Sequence, residues 1–195
     1  MSGLPGTGKT TLAKYLASLC EPNILIYDPL SQYNGFLENL RYIPKSDSLT
    51  EFDGVCKQLR ARGDVTFFIE ECERYLGQAK PLLENTFDLV NRGRNWGVGI
   101  VAITRRIQRL SKDYFDLCQR AFFFRCGLKS QQYIADMIGR ENTRKIMQLP
   151  RYHFLYYDVE QEQSSVYVLR LGVRPTLEGA KSGKENGEER RVRTE

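Results

Sequence analysis

The sequence predicts an α/β fold built on a mainly parallel sheet with helices on its faces. Three observations predict it. Short apolar stretches alternate with segments of helical periodicity along most of the chain. One stretch, Val65-Thr66-Phe67-Phe68-Ile69, is almost continuously apolar, as befits a parallel strand covered on both faces. A glycine-rich turn, Gly3-Leu4-Pro5-Gly6-Thr7-Gly8-Lys9-Thr10, leads directly into the first helix.

Each element has its own local reason. Leu12, Leu16 and Leu19, with Ala13 and Ala17 between them, place a helix over about residues 9–19. Residues 23–29 read as a short buried strand ending in the turn Asp28-Pro29. Residues 30–47 carry weak periodicity and many turn formers. Ser48-Leu49-Thr50-Glu51 forms a capping box, with Ser48 as N-cap and Glu51 reaching back to it. Leu49, Phe52, Val55, Cys56 and Leu59 line one face of the helix that follows, and Gly63 ends it in the left-handed conformation. After the strand at 65–69, Leu83, Phe87 and Val90 mark a helix stopped at Gly93. Residues 98–104 and 121–125 form two further strands, and 130–147 a helix. Residues 152–158 and 164–171 pair as an antiparallel hairpin around a polar turn. From about Pro175 the chain is mostly Gly, Lys, Glu and Arg and buries too little to offset its ordering entropy. Residues 1–174 are therefore expected as one domain and 175–195 as a disordered charged tail.

Composition narrows the function classes. No apolar run approaches the roughly 18 residues that span a bilayer, and the start lacks a signal-peptide pattern, so the cytoplasm is the expected location, the host's if the source is viral. The five cysteines are scattered and never spaced C-x-x-C, which argues for reduced thiols against a disulfide framework or zinc ribbon. His153 is the only histidine, so a histidine-rich metal site is excluded and any Ser-His or Cys-His catalysis rests on a residue inside an apolar strand. The net charge of +5 is mild, but it is unevenly spread. Between Asn91 and Lys112 stand Arg92, Arg94, Arg105, Arg106, Arg109 and Lys112 with no acidic residue. That excess suits polyanion contact, to nucleotide phosphates or nucleic acid, or else a solvated face.

The opening turn fits G-x-x-x-x-G-K-[ST], the phosphate-binding loop. Backbone N–H groups converge on phosphate oxygens there, which requires glycines that tolerate close approach. The expected nucleotide-binding set is Gly3, Pro5, Gly6, Thr7, Gly8, Lys9, Thr10 and Thr11. Lys9 would reach the β- and γ-phosphates of ATP and the Thr10 hydroxyl would coordinate Mg²⁺. The helix N-terminus adds its partial positive charge. Further on, Ile69-Glu70-Glu71 ends an apolar strand in two acids, the Walker B arrangement, at the sheet edge where α/β ligands bind. Glu70 would hold Mg²⁺ through water and Glu71 would orient and deprotonate the attacking water. Asp is usual at the first position, so Glu70 departs from the pattern. Glu73 is a weaker acid candidate. A hydrolytic carboxylate beside the metal-binding one favours an ATPase over a small-molecule kinase.

With Ile26-Tyr27-Asp28-Pro29, Gly93-Arg94-Asn95-Trp96-Gly97, Ala102-Ile103-Thr104-Arg105-Arg106 and Phe124-Arg125 following in order, the chain resembles the HerA/FtsK superfamily of ring-forming, DNA-translocating ATPases over roughly residues 2–128. The resemblance implies a RecA/ASCE-like P-loop NTPase fold and Mg²⁺-dependent ATP hydrolysis coupled to DNA movement, in viral genome packaging or transfer of a plasmid. It implies a homo-oligomeric ring, a hexamer, with Arg94 as a finger reaching the neighbouring subunit's γ-phosphate and Arg92 as the alternative. Thr104 and Arg105 take the sensor place, where Gln is usual instead of Arg105. Arg105, Arg106, Arg109 and Lys112 would hold the DNA backbone without reading bases. A capsid or membrane-complex protein is an implied partner. Three other readings stay open: a small P-loop kinase or nucleotide switch, a Zot-like assembly ATPase, and a scaffold that binds nucleotide without turnover. In the superfamily an apolar strand precedes the position of Ser2, so the natural chain is expected to extend upstream of Met1; without that strand the phosphate loop would be loosely held and bind ATP weakly.

Overall fold

A computed structural model describes residues 1–79, 81–170 and 190–191. In chain order the elements are α1 (Lys9–Leu19), β1 (Ile24–Tyr27), β2 (Arg41–Tyr42), α2 (Leu49–Arg62), β3 (Val65–Ile69), α3 (Glu84–Arg92), β4 (Val98–Ala102), α4 (Lys112–Asp116), β5 (Arg120–Phe124), α5 (Gln131–Gln148), β6 (His153–Asp158), β7 (Gln163–Val168) and β8 (Arg190–Arg191). They divide into two units, Leu16–Leu117 on one hand and Met1–Tyr15 with Cys118–Glu195 on the other.

In the first of these, a fully parallel sheet runs in the order β2-β1-β3-β4. Leu25 pairs with Phe67, and Phe67 with Ile100, which places β3 centrally. Its apolar run is buried at Val65, Phe67, Phe68 and Ile69, as expected of a strand covered on both faces. Phe52 of α2 stacks on Tyr75 at 4.5 Å, and Tyr27 meets Phe52 edge-on at 5.0 Å. Burial of each such ring stabilises by about 1.5–3 kcal/mol, so this aromatic cluster anchors α2 on the sheet.

Three local expectations are refined. Ser48 caps α2 by accepting from the Thr50 N–H at 3.2 Å. Glu51, however, reaches past Ser48 to the Lys45 and Ser46 N–H groups and to the Tyr42 hydroxyl. The Lys45 N–H, then the Tyr42 hydroxyl, hold its carboxyl down at about 2. Gly63 ends α2 with φ 66 and ψ −179, a positive φ with extended ψ in place of a left-handed helical residue. In α3 the buried residues are Thr86 and Leu89, while Leu83 and Phe87 are 39% and 52% exposed. The apolar triplet that marks this helix is thus not its inner face. The cause is polar: Asp53 of α2 accepts from the Thr86 N–H and hydroxyl and from the Asn85 amide at 2.8–2.9 Å, and this clamp sets the rotation of α3.

The second unit carries a sheet in the order β5-β6-β7-β8. β5, β6 and β7 are antiparallel neighbours, with Phe123 opposite Leu155 and Leu155 opposite Val166. The hairpin forms as predicted. β5, the strand expected over 121–125, pairs with β6 antiparallel and, among the described residues, in parallel with Ser2. Ser2 donates to the Phe122 carbonyl at 2.9 Å and accepts from the Phe124 N–H at 2.8 Å. The predicted helix over 130–147 is interrupted at Gly139, where φ is 83 and ψ 159. Arg190 and Arg191 pair with Tyr167 and Val168; the rest of the predicted tail lies outside the described residues. The cysteines stay free, and burial pushes the Cys126 thiol up to about 11 and the Cys56 thiol up to about 12, as for inert core thiols.

Candidate active site

The phosphate loop is built on β5. Ser2 pairs with that strand, and the Leu4 N–H donates to the Arg125 carbonyl at 2.9 Å, so the loop leaves the sheet from a fixed edge. Close approach explains two glycines. A Cβ at Gly3 would stand 2.6 Å from the Phe124 Cβ, and one at Gly8 would stand 3.0–3.2 Å from Leu169, Tyr152 and Phe124. Both have positive φ, 157 and 115. The Gly8 carbonyl accepts from Leu12 and opens α1. Thr10 is half-buried and Thr11 exposed in its first turn, while Pro5 and Gly6 are exposed on the crest. Lys9, 7% exposed, donates from Nζ to the Leu4 carbonyl at 2.8 Å, and the Thr7 hydroxyl donates to the same oxygen at 2.8 Å. The loop is thereby closed on itself through one carbonyl. The turn before β6 braces it from outside, with the Tyr152 N–H on the Thr7 carbonyl at 3.1 Å and Arg151 Nε on the Gly6 carbonyl at 3.0 Å.

The acid pair lies in the other unit, at the end of β3. Glu70 is buried and continues the ladder, its N–H donating to the Tyr27 carbonyl, and its Oε1 accepts from the Tyr33 hydroxyl at 2.9 Å. Burial, and then the Glu70 charge beside it, push the Tyr33 hydroxyl far above the usual phenol range, so it remains a donor. Asp28 at the end of β1 is fully buried and accepts from the Gln32 and Tyr33 N–H groups, each at 2.9 Å, with Arg41 at 3.7 Å. Asp28 therefore shapes the turn that delivers Tyr33 to Glu70.

Glu71 sits in the left-handed region at φ 47 and ψ 41, rare for a residue with a side chain and typical of functional sites. Its Oε2 meets Arg74 Nε at 2.7 Å and its Oε1 meets Arg105 at 3.3 Å. Arg74 is held in turn by Asp47 at 2.6 Å. The Cys72 N–H on the Ile103 carbonyl and the Arg105 N–H on Glu73 keep the two strand ends together. Glu73 thus positions the Arg105 loop. Thr104 is buried, and its hydroxyl accepts from the Arg106 N–H at 3.0 Å.

The remaining arginines separate cleanly. Arg92 is 3.6 Å from Asp88, an acid that Arg60 also holds at 2.6 Å. Arg94 is exposed and has no ion-pair partner among the described residues. Arg106 and Arg109 are exposed as well, and the Lys112 side chain lies outside what the structure describes.

A model of the ATPase family associated with various cellular activities (AAA) matches residues 1–126, which carry the phosphate loop, the acid pair and the arginine-rich stretch. The chain belongs to the AAA family of ATPases. No curated protein matches this AAA ATPase in sequence. In structure it is similar to B204, the DNA-packaging ATPase of Sulfolobus Turreted Icosahedral Virus, at TM-score 0.75 and 17% identity over 85% of this chain and 93% of that one. B204 of Sulfolobus turreted icosahedral virus 2 in complex with ATP-gammaS matches at TM-score 0.73 and 17% identity over the same shares. The N-terminal domain of zonular occludens toxin from Neisseria meningitidis matches at 0.54 and 13% over 87% and 92%. At such identities these likenesses show the fold. It is that of a P-loop ATPase, as the sequence motifs imply.

Sequence reasoning on this AAA ATPase missed Tyr33, Arg74, Arg151 and Tyr152. Tyr33 and Arg74 stand in a turn-rich stretch and just after the acid pair, where no periodicity marks them. Arg151 and Tyr152 follow a helix end more than a hundred residues beyond the loop they touch, and no local pattern encodes that contact.

Proposed function

We propose that this AAA ATPase is a HerA/FtsK-type ring motor that couples Mg²⁺-dependent ATP hydrolysis to DNA movement, as in genome packaging or transfer of a mobile element. The observation that carries the reading is the likeness to a DNA-packaging ATPase over most of both chains. In this reading Lys9 and the loop N–H groups bind the β- and γ-phosphates, and the γ-phosphoryl charge that builds up in the transition state falls on them. Glu71 orients the water and takes its proton as the new P–O bond forms and the bond to the leaving ADP breaks. Its contacts with Arg74 and Arg105 fix the carboxylate in place. Arg105, predicted as phosphate sensor and DNA contact, is occupied by Glu71, so Arg106 and Arg109 are the better candidates for the DNA backbone.

The chemistry of the proposed donors, a hydroxyl and a carboxylate, suits Mg²⁺. Among the described residues no cluster of three acids, histidines or cysteines forms a metal cage. Mg²⁺ at ATPase sites relies on one or two protein oxygens and the substrate phosphates. In this reading Thr10 and Glu70 would supply those oxygens. The ion would neutralise charge on the β- and γ-phosphate oxygens.

Ring assembly is supported by exposed apolar residues, Leu83 at the N-cap of α3 and Phe87 within it, and by Arg94 beyond, which has no ion-pair partner among the described residues. Arg94 is therefore favoured over Arg92 as the trans finger. Mixing Arg94→Ala subunits with Glu71→Gln subunits should restore part of the hydrolysis that each lacks alone; no recovery at any ratio would count against a finger acting in trans. The function itself is tested by the ATPase rate with and without double-stranded DNA, alongside the mass of the assembly. Stimulation by DNA that fades with added salt is expected. An oligomer indifferent to DNA would favour the second reading, a morphogenesis ATPase of the kind the zonular occludens toxin likeness suggests.

A further inference from the structure

Arg151 is a cation set beside the phosphate loop without an acid. It has no ion-pair partner among the described residues, and the one hydrogen bond its side chain makes among them runs from Nε to the Gly6 carbonyl at 3.0 Å. A phosphate loop turns its N–H groups inward to the anion, so its carbonyls face outward. A guanidinium bound to the Gly6 carbonyl therefore lies at the rim of the loop and not among the N–H groups that take the phosphates.

The guanidinium is planar and its placement is constrained. Its carbon lies 4.8 Å from the centroid of the Tyr152 ring, so one face is backed by an aromatic plane. Tyr152 is itself pinned, donating to the Thr7 carbonyl at 3.1 Å and accepting from the Leu169 N–H at 2.8 Å. It is held at φ 64, a left-handed conformation that a tyrosine adopts only when its surroundings impose it. The Arg151 side chain is exposed. An edge fixed on the loop, one face backed and a solvent-facing side chain together make a stacking surface. The group that matches it is a heteroaromatic ring, since guanidinium planes stack on nucleobases.

We propose that Arg151, backed by Tyr152, is the ledge on which the base of the bound nucleotide stacks. The inference rests on the nucleotide-site reading and adds to it the half of the ligand that the motif does not address. Stacking carries no hydrogen-bond readout, so the ledge accepts any purine nucleoside triphosphate and favours purines by their larger face.

The test compares the full-length wild type, Arg151→Ala and Arg151→Lys for binding of ADP and of inorganic tripolyphosphate by calorimetry, with melting temperature as the folding control. Wild type is expected to bind both. Arg151→Ala should weaken ADP on the order of tenfold more than it weakens tripolyphosphate, the range of one base stack, the smaller loss common to both ligands reporting the brace on Gly6. Arg151→Lys keeps the charge and a donor for Gly6 but not the plane, and should behave like Ala. Unchanged ADP binding in Arg151→Ala, rescue by Lys, or an equal loss of tripolyphosphate binding would each overturn the ledge, the last by showing that Arg151 only braces the loop. A wild type that binds neither ligand would overturn the nucleotide site and the ledge with it.

Discussion

Lys9→Ala is expected to bring ATP turnover to background and to weaken ATP binding sharply. The ammonium is nearly buried within the loop and rests on the Leu4 carbonyl. No other lysine lies in the loop sequence to replace it. Loss of a preorganised electrostatic contact to a transferring phosphoryl group costs about 10²–10³ in rate. The loop itself should survive, because the Thr7 hydroxyl continues to donate to the Leu4 carbonyl and Tyr152 and Arg151 continue to brace Thr7 and Gly6. The loss would then report charge and not collapse. Phosphate release and labelled-nucleotide binding measure the two effects, and circular dichroism checks the fold. Hydrolysis at the wild-type rate would remove Lys9 from the site.

Glu71→Gln should separate binding from chemistry. Gln keeps the length, the carbonyl oxygen and the shape of Glu, so the strained backbone at this position and the packing of the strand ends are preserved. Arg74 also retains Asp47. What disappears is the proton acceptor. Removal of a positioned general base lowers turnover by about 10²–10⁴, while ATP affinity should stay near that of wild type. The expected product is a chain that fills with ATP and does not release phosphate, measured by single-turnover assays. A normal single-turnover rate would transfer the base role elsewhere.

The parts of the fold that were legible in the sequence are those encoded by short-range order. The phosphate loop, the β3 strand with its acid end and the Ser48 cap each follow from residues within one turn or one strand. The face of α3 was not legible, because Leu83 and Phe87 form a better apolar stripe than Thr86 and Leu89, and only the long-range Asp53 clamp decides between them. The pairing of β5 was likewise hidden. Phe122-Phe123-Phe124 suits a parallel or an antiparallel neighbour equally, and composition does not state which partner arrives. At the site, residue types predicted the two acids and the loop. The contacts that orient them come from Tyr33, Arg74 and Arg151, whose partners lie up to 145 positions away.

The buried carboxylate of Asp28 has a consequence for how inactivating variants would be understood. Asp28 meets neither Glu70 nor Glu71 through the bonds described above, yet it fixes the main chain at Tyr33, which carries the hydroxyl that Glu70 accepts. A lesion at Asp28 would free that turn and loosen the hydroxyl that Glu70 accepts, and weakening a hydrogen bond to a buried charged group is costly. In a genetic screen it would score with the lesions of Glu70, two positions far apart in the chain sharing one phenotype. The aspartate in this motif would then be inherited as a keystone of the acid's surroundings, under selection for activity without ever taking part in it.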